Sequence, residues 1–152
     1  MFYIAQQERL NTSLMKFKHI PFFVIAASAI IATLSSFKPQ KKFDLKASIE
    51  RGKEIYTTHC VFCHMAEGQG MEGAFPPVAK ADYLMADKKR SIEQVINGAT
   101  GEMTVNGKVY NGEMKSTGLN DDEVSDVLNY IRNSFGNKGD AVTPEEVKKV
   151  RK

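Results

Sequence analysis

Cysteine is scarce: Cys60 and Cys63 are the only two in 152 residues. Two cysteines cannot staple a disulfide-rich secreted scaffold. Net charge is also small. The 21 Lys+Arg and 18 Asp+Glu leave +3, too little to argue for a nucleic-acid partner. Internal repeats are missing, as is an unbroken apolar run of the ~20 residues a spanning helix takes. What is present is ordinary for a folded chain. It is 42% hydrophobic and 26% charged, which excludes disorder throughout. The length allows one domain rather than two.

The N-terminal segment reads as a targeting signal. Lys16, Lys18 and His19 precede an apolar stretch from Ile20 to Leu34, broken only by Pro21, Ser28 and Thr33. A basic flank before an h-region of about 7–15 residues is the layout of a secretory signal. Ala27-Ser28-Ala29 is a small-residue cleavage candidate. Extension to Phe37 brings the stretch close to spanning length, so a retained membrane anchor through 20–37 is the alternative. Met15 would serve as a start as well as Met1. From Lys38 onward 18 Lys+Arg face 17 Asp+Glu, so the basic balance belongs mostly to the leader. The remaining ~115 residues suffice for one small core. The expected division is 1–37 signal peptide or anchor, 38–43 linker, 44–138 main domain and 139–152 a short C-terminal helix or tail.

Along the main domain the pattern is mostly helical. A helix is expected over about Leu45–Thr58, with Ser48 as its N-cap. Ile49, Gly52, Ile55 and Tyr56 share one face. Gly52 there costs about 1 kcal/mol against Ala unless something packs close. Gly68–Pro77 reads as a loop. Ser91–Asn97 reads as a short helix capped by Ser91 and stopped by Gly98. Val105–Val109 is a hairpin signal around Asn106-Gly107. The strongest helix runs from Asp121 to about Phe135. Asn120 and Glu123 form its capping box, and Gly136 ends it. Thr143-Pro144 opens a last short helix.

Cys60-Val61-Phe62-Cys63-His64 carries the chemistry. Two thiols three apart, followed directly by histidine, are the attachment signature of c-type haem. Each thiol adds to one vinyl group of the porphyrin, and one turn of backbone reaches both. The adjacent His64 can then bind the iron. A structural zinc site needs four ligands, and no second cysteine pair supplies them. A redox dithiol belongs between strand and helix in a parallel-sheet context, of which there is no sign. The export signal agrees with haem, because covalent attachment happens outside the cytoplasm.

The second axial position calls for a thioether, an imidazole or nothing. Methionine with histidine gives a closed site of raised potential. Among seven methionines, Met1 and Met15 lie in the leader and Met65 adjoins His64. Met71 and Met85 read as gap-fillers. Met114 is the favoured ligand, expected in a flexible segment after the hairpin. Met103 is the runner-up. His19, His59 or an open site complete the alternatives.

With these features in place the chain resembles a class I c-type cytochrome, of the small bacterial monohaem kind. The resemblance spans about Ser48–Gly136. It is carried by Arg51-Gly52-Lys53-Glu54-Ile55-Tyr56, Cys60–His64, Phe75-Pro76-Pro77-Val78, Tyr110–Met114 and Leu128-Asn129-Tyr130-Ile131-Arg132. It implies a mainly α cytochrome c fold. Three to five helices would surround one covalent haem c, with a small β-hairpin before the axial methionine. It implies that the first and last long helices cross at Gly52 and Tyr130. It also implies that the Pro76 carbonyl holds the His64 ring N–H, with Pro77 as alternative, and that Tyr110 borders the cofactor. One departure is Lys115, where the family usually has proline after the axial methionine.

The implied activity is one-electron transfer, with no catalytic acid or base. Redox partners would dock transiently at the haem edge, where Lys53, Lys80, Lys88, Lys89, Arg90 and Lys115 could form a basic rim. The resemblance suggests a copper nitrite reductase, a terminal oxidase or a dehydrogenase as partner, in the periplasm. One rival is a membrane-anchored haem subunit of a larger respiratory complex. Another is an open-site haem sensor or enzyme.

Overall fold

The computed structural model describes residues 42–152. The expected leader, linker residues 38–41 and His19 lie outside the described residues. Among the described residues no helix is long and apolar enough to cross a membrane. The elements are α1 (Leu45–His59), α2 (Val61–His64), α3 (Asp82–Ala86), α4 (Lys88–Asn97), β1 (Gly98–Val105), β2 (Lys108–Lys115), α5 (Asp121–Arg132) and α6 (Pro144–Arg151). The architecture is mainly α. These are six helical segments rather than three to five. The surplus is α2 and α3, of four and five residues, too short to show a helical period in sequence.

Helices α1 and α5 cross in direct backbone contact. A Cβ on Gly52 would stand 1.9 Å from the Asp126 carbonyl oxygen and 2.8 Å from Tyr130 Cβ. Only glycine permits this approach, which offsets its low helix propensity. Ser48, one turn earlier, is fully buried at the same crossing and donates from Oγ to Asp126 at 2.6 Å. It therefore does not cap α1. Asp44 does, accepting from the Ala47 N–H at 3.0 Å. Arg51 closes the crossing with two bonds to the Asp126 carboxylate, at 2.6 and 2.7 Å.

The start of α5 carries its capping box. Asn120 accepts from the Glu123 N–H at 3.0 Å, and Glu123 accepts from the Asn120 N–H at 2.9 Å. Its apolar face (Val124, Val127, Leu128, Ile131) is at most 5% exposed. The helix ends at Arg132, before the expected Phe135. Phe135 has φ 56 and Gly136 φ 80, so the chain reverses there. That reversal brings the Phe135 ring against Tyr56 and Tyr130, with centroids 5.2 and 5.3 Å apart. Likewise α4 begins at Lys88, not Ser91. Asp87 is the cap, and Ser91 points inward, donating to the Leu84 and Asp87 carbonyls at 2.8 and 2.9 Å.

The hairpin is longer than its turn signal suggests. Asn106 and Gly107 have φ 51 and 76, the left-handed pair a two-residue turn requires. From there pairing runs out to Gly98 opposite Lys115. Met114 consequently lies within β2, opposite Ala99, and not in a segment after the hairpin. At least half of each strand is exposed and polar or glycine, which hid the strands from a hydrophobic-run reading.

The C-terminal segment is part of the core. Val142 and Val147 are fully buried. Asn129 of α5 pairs with the Val142 backbone, accepting from its N–H at 2.7 Å and donating to its carbonyl at 2.8 Å. The capping box of Thr143 and Glu146 then opens α6.

Candidate functional site

The end of α1 and the single turn of α2 form one wall of a cavity. His64 N–H donates to the Cys60 carbonyl at 2.9 Å. That turn sets Cys60, Cys63 and His64 along the same wall, and all three line the cavity. Neither thiol is in a disulfide. Burial, and next the neighbouring Cys63, push the Cys60 thiol up to about 11. It stays neutral at pH 7.

The loop after α2 is folded to present one carbonyl. Gly70 N–H donates to the His64 carbonyl, and the Val78 and Ala79 N–H groups both donate to Gly68. Gly70 has φ 64, and a Cβ there would stand 2.4 Å from the Phe75 carbonyl oxygen. The close turn delivers the Pro76 carbonyl to His64 Nδ1 at 2.9 Å. A carbonyl only accepts, so Nδ1 carries the proton and Nε2 keeps its lone pair. Burial lowers the His64 pKa, against the opposing effect of this bond. The ring is therefore neutral at pH 7, the form in which imidazole binds a metal.

The cavity holds about 540 Å³ and its lining is mostly apolar. Its other walls are the 74–78 loop, α4, the inner face of the hairpin, and Val127, Leu128 and Ile131 of α5. Alternation along the strands puts Ala99, Met103 and Val105 of β1 on that inner face, with Tyr110, Gly112 and Met114 of β2. Both candidate thioethers thus border the same space. Their surroundings differ. Met103 packs into a small cluster with Ala81, Val105 and Tyr110. Met114 is half-buried and belongs to neither apolar cluster of the described residues. His59 also borders the cavity and is exposed.

Of the six cations expected at the rim, three are engaged by neighbours. Lys88 binds Glu146 at 2.5 Å, Lys89 pairs with Glu93 at 3.2 Å, and Arg90 stacks on Tyr83. Lys53, Lys80 and Lys115 are exposed. Sequence reading passed over two features. Phe62, between the two cysteines, is 85% exposed. Tyr83 and Gln94 line the cavity from α3 and α4. Only the α3–α4 fold, invisible in the periodicity, brings that pair inward.

Among the described residues no group of three or more His, Cys, Asp or Glu could hold a metal ion by itself. A metal here would need a ring that brings its own donors. Comparison with known proteins agrees with that chemistry. Residues 49–135 match the family model for cytochrome c. The chain is 41% identical to cytochrome c-552 of Thermus thermophilus over 110 residues, 66% of this chain and 83% of that protein. It is 28% identical to the cytochrome c subunit of a quinone alcohol dehydrogenase from Gluconobacter oxydans, spanning 22% of that subunit. It is 29% identical to the CcoP subunit of a cbb3-type oxidase from Azospirillum brasilense, spanning 30% of it.

Proposed function

Because the chain belongs to the cytochrome c family, we propose that it is a periplasmic one-electron carrier holding one haem c. Cys60 and Cys63 would attach it, and His64 and Met114 would bind its iron. Haem supplies a single iron that alternates between Fe(III) and Fe(II). The chain supplies ligands, burial and a docking surface.

The residues fit the group. The cavity is of cofactor size, within the roughly 300–1,000 Å³ usual for such sites, and it is lined mainly by apolar side chains. Two thiols one turn apart stand beside a neutral imidazole whose Nε2 is free. The observation that carries the reading is the His64–Pro76 bond at 2.9 Å. It fixes tautomer and ring orientation and raises ligand basicity, as outer-shell bonds to metal-binding histidines do. Met114 is favoured over Met103 because its thioether has no core cluster to fill.

Export, the leader boundaries and transient docking under about 1,200 Å² belong to the same proposal. The names of the dehydrogenase and oxidase relatives support partners of those classes, and equally support the rival reading as a haem subunit of such a complex. Membrane fractionation with intact mass separates the two, because a cleaved leader leaves a shorter, soluble chain. The chemical test is Cys60→Ser with Cys63→Ser. Covalent haem staining is lost in the double variant. Normal staining would sink the assignment.

A further inference from the structure

A second cavity opens where α5 ends. It holds about 480 Å³ and is lined by Met85, Arg132, Asn133, Lys138, Gly139 and Asp140. None of these six borders the first cavity. The chemistry is also opposite: Met85 brings the one apolar side chain, and the rest of the lining is polar, charged or glycine.

Arg132 is the unusual member. It is 5% exposed, yet no carboxylate forms an ion pair with it among the described residues. Its bonds go to neutral carbonyls and are long, Nε to Asp140 at 3.5 Å and Nη1 to Leu84 at 3.4 Å. Nη2 has no acceptor among the described residues, and a Cβ on Gly139 would stand 2.9 Å from it. Two acids are close enough to act on its charge. Glu146 already accepts from Lys88 at 2.5 Å and from the Thr143 N–H at 2.8 Å. Asp140 is exposed. Burial holds the Arg132 pKa below its ordinary value against the pull of both. A guanidinium stays charged regardless, so its desolvation is left uncompensated.

The surroundings complete a receptor for an anion. Lys138 is exposed and forms no ion pair among the described residues. Asn133 spends one Nδ2 hydrogen on the Asn129 carbonyl at 3.0 Å and keeps the other. The backbone N–H groups of Lys138, Gly139 and Asp140 find no acceptor among the described residues. The planar fork of Arg132 suits two oxygens of an oxyanion. A tetrahedral phosphate then has further oxygens for Lys138 and Asn133, whereas a planar carboxylate presents both of its own to the fork. A lipid chain would meet only Met85, so the lining favours a free anion over a headgroup.

We propose that Arg132, with Lys138 and Asn133, binds a free phosphate-type oxyanion in this cavity. Asp140 at the same lining opposes the bound charge and holds the affinity down. The anion supplies the counter-charge that the buried guanidinium lacks, and ties the end of α5 to the 138–140 segment that leads to α6. The site is independent of the haem reading, and its test reads anion binding directly.

The holoprotein is titrated with inorganic phosphate in a calorimeter, against chloride at equal ionic strength, and its thermal unfolding is followed in both salts. Wild type is expected to show one saturable site and a higher Tm in phosphate, as mass action on a folded-state ligand requires. Arg132→Gln should weaken binding by more than about tenfold, the scale of a lost hydrogen bond to a charged group. Lys138→Gln should weaken it by up to about fivefold, because that charge is exposed. Asp140→Asn should tighten it, and a gain of binding cannot come from a folding defect. A wild type with no saturable heat and equal Tm in the two salts would overturn the proposal. So would binding that is indifferent to all three substitutions, which would place the anion elsewhere. Binding confined to Asp140→Asn would also overturn it, because Asp140 would then be the natural partner of Arg132.

Discussion

Replacing Gly52 by alanine tests the crossing that holds the fold together. The added Cβ would meet the Asp126 carbonyl oxygen at 1.9 Å and Tyr130 Cβ at 2.8 Å. Ordinary contact lies near 3.5–4.0 Å. Relief therefore requires α1 and α5 to separate by well over an ångström. A carbonyl oxygen belongs to the backbone, so no rotamer change can provide it. Separation also strains the Ser48 and Arg51 bonds to Asp126, now at 2.6–2.7 Å. Overpacking costs about 1–3 kcal/mol, and a backbone neighbour puts this site at the upper end. Alanine returns about 1 kcal/mol of helix propensity. The net loss is about 2 kcal/mol. At roughly 4–8 °C per kcal/mol for a domain near this size, Tm falls by about 8–16 °C. Thermal and denaturant unfolding of the holoprotein would measure it. A Gly52→Ala protein as stable as wild type would refute the close-crossing argument.

Three further outcomes follow from the same geometry. Asn129→Ala leaves the Val142 N–H without a partner in a fully buried position, while the carbonyl keeps its bond from the Ser125 hydroxyl, costing about 1–3 kcal/mol. Hydrogen exchange should then show early release of residues 140–151; unchanged protection there would contradict it. Burial works against ionisation of Glu146, yet hydrogen bonds from Lys88 and Thr143 outweigh it and hold the pKa below the usual value. A depressed carboxylate stabilises above the unfolded pKa of ~4.3 and loses that contribution as pH falls through the folded value. Glu146→Gln should flatten the acid limb of α6 protection below about pH 4, and an identical acid limb would count against the bond. Met114→Ala should lower the midpoint potential by more than about 59 mV, tenfold in a one-electron equilibrium, while Met103→Ala leaves axial ligation unchanged. The reverse pattern would move the ligand to Met103.

Local chemistry was the legible part of this sequence. Cys60–His64 needs only one helical turn, so its spacing already carried the geometry of α2. The capping boxes at Asn120 and Thr143, and the turn at Asn106-Gly107, are also decided by neighbours in sequence. What stayed hidden depends on distant partners. Ser48 reads as a helix cap until Asp126 arrives from 78 residues away to bind it. Ser91 reads the same way, but carbonyls of α3 and its boundary claim the hydroxyl. The strands of the hairpin carry Thr100, Glu102, Thr104 and Asn111, because only one face of a two-stranded ribbon meets the cavity. Met114 thus looked like loop when it is strand. Three of the six rim cations looked free and are engaged by Glu146, Glu93 and Tyr83.

The central claim is a closed histidine–methionine iron site. The absorption spectrum of the oxidised holoprotein, made in a host that attaches c-type haem, tests it most directly. The account predicts a low-spin spectrum with the weak methionine sulfur-to-iron charge-transfer band, lost in Met114→Ala. A high-spin spectrum without that band would contradict it and return the protein to the open-site reading.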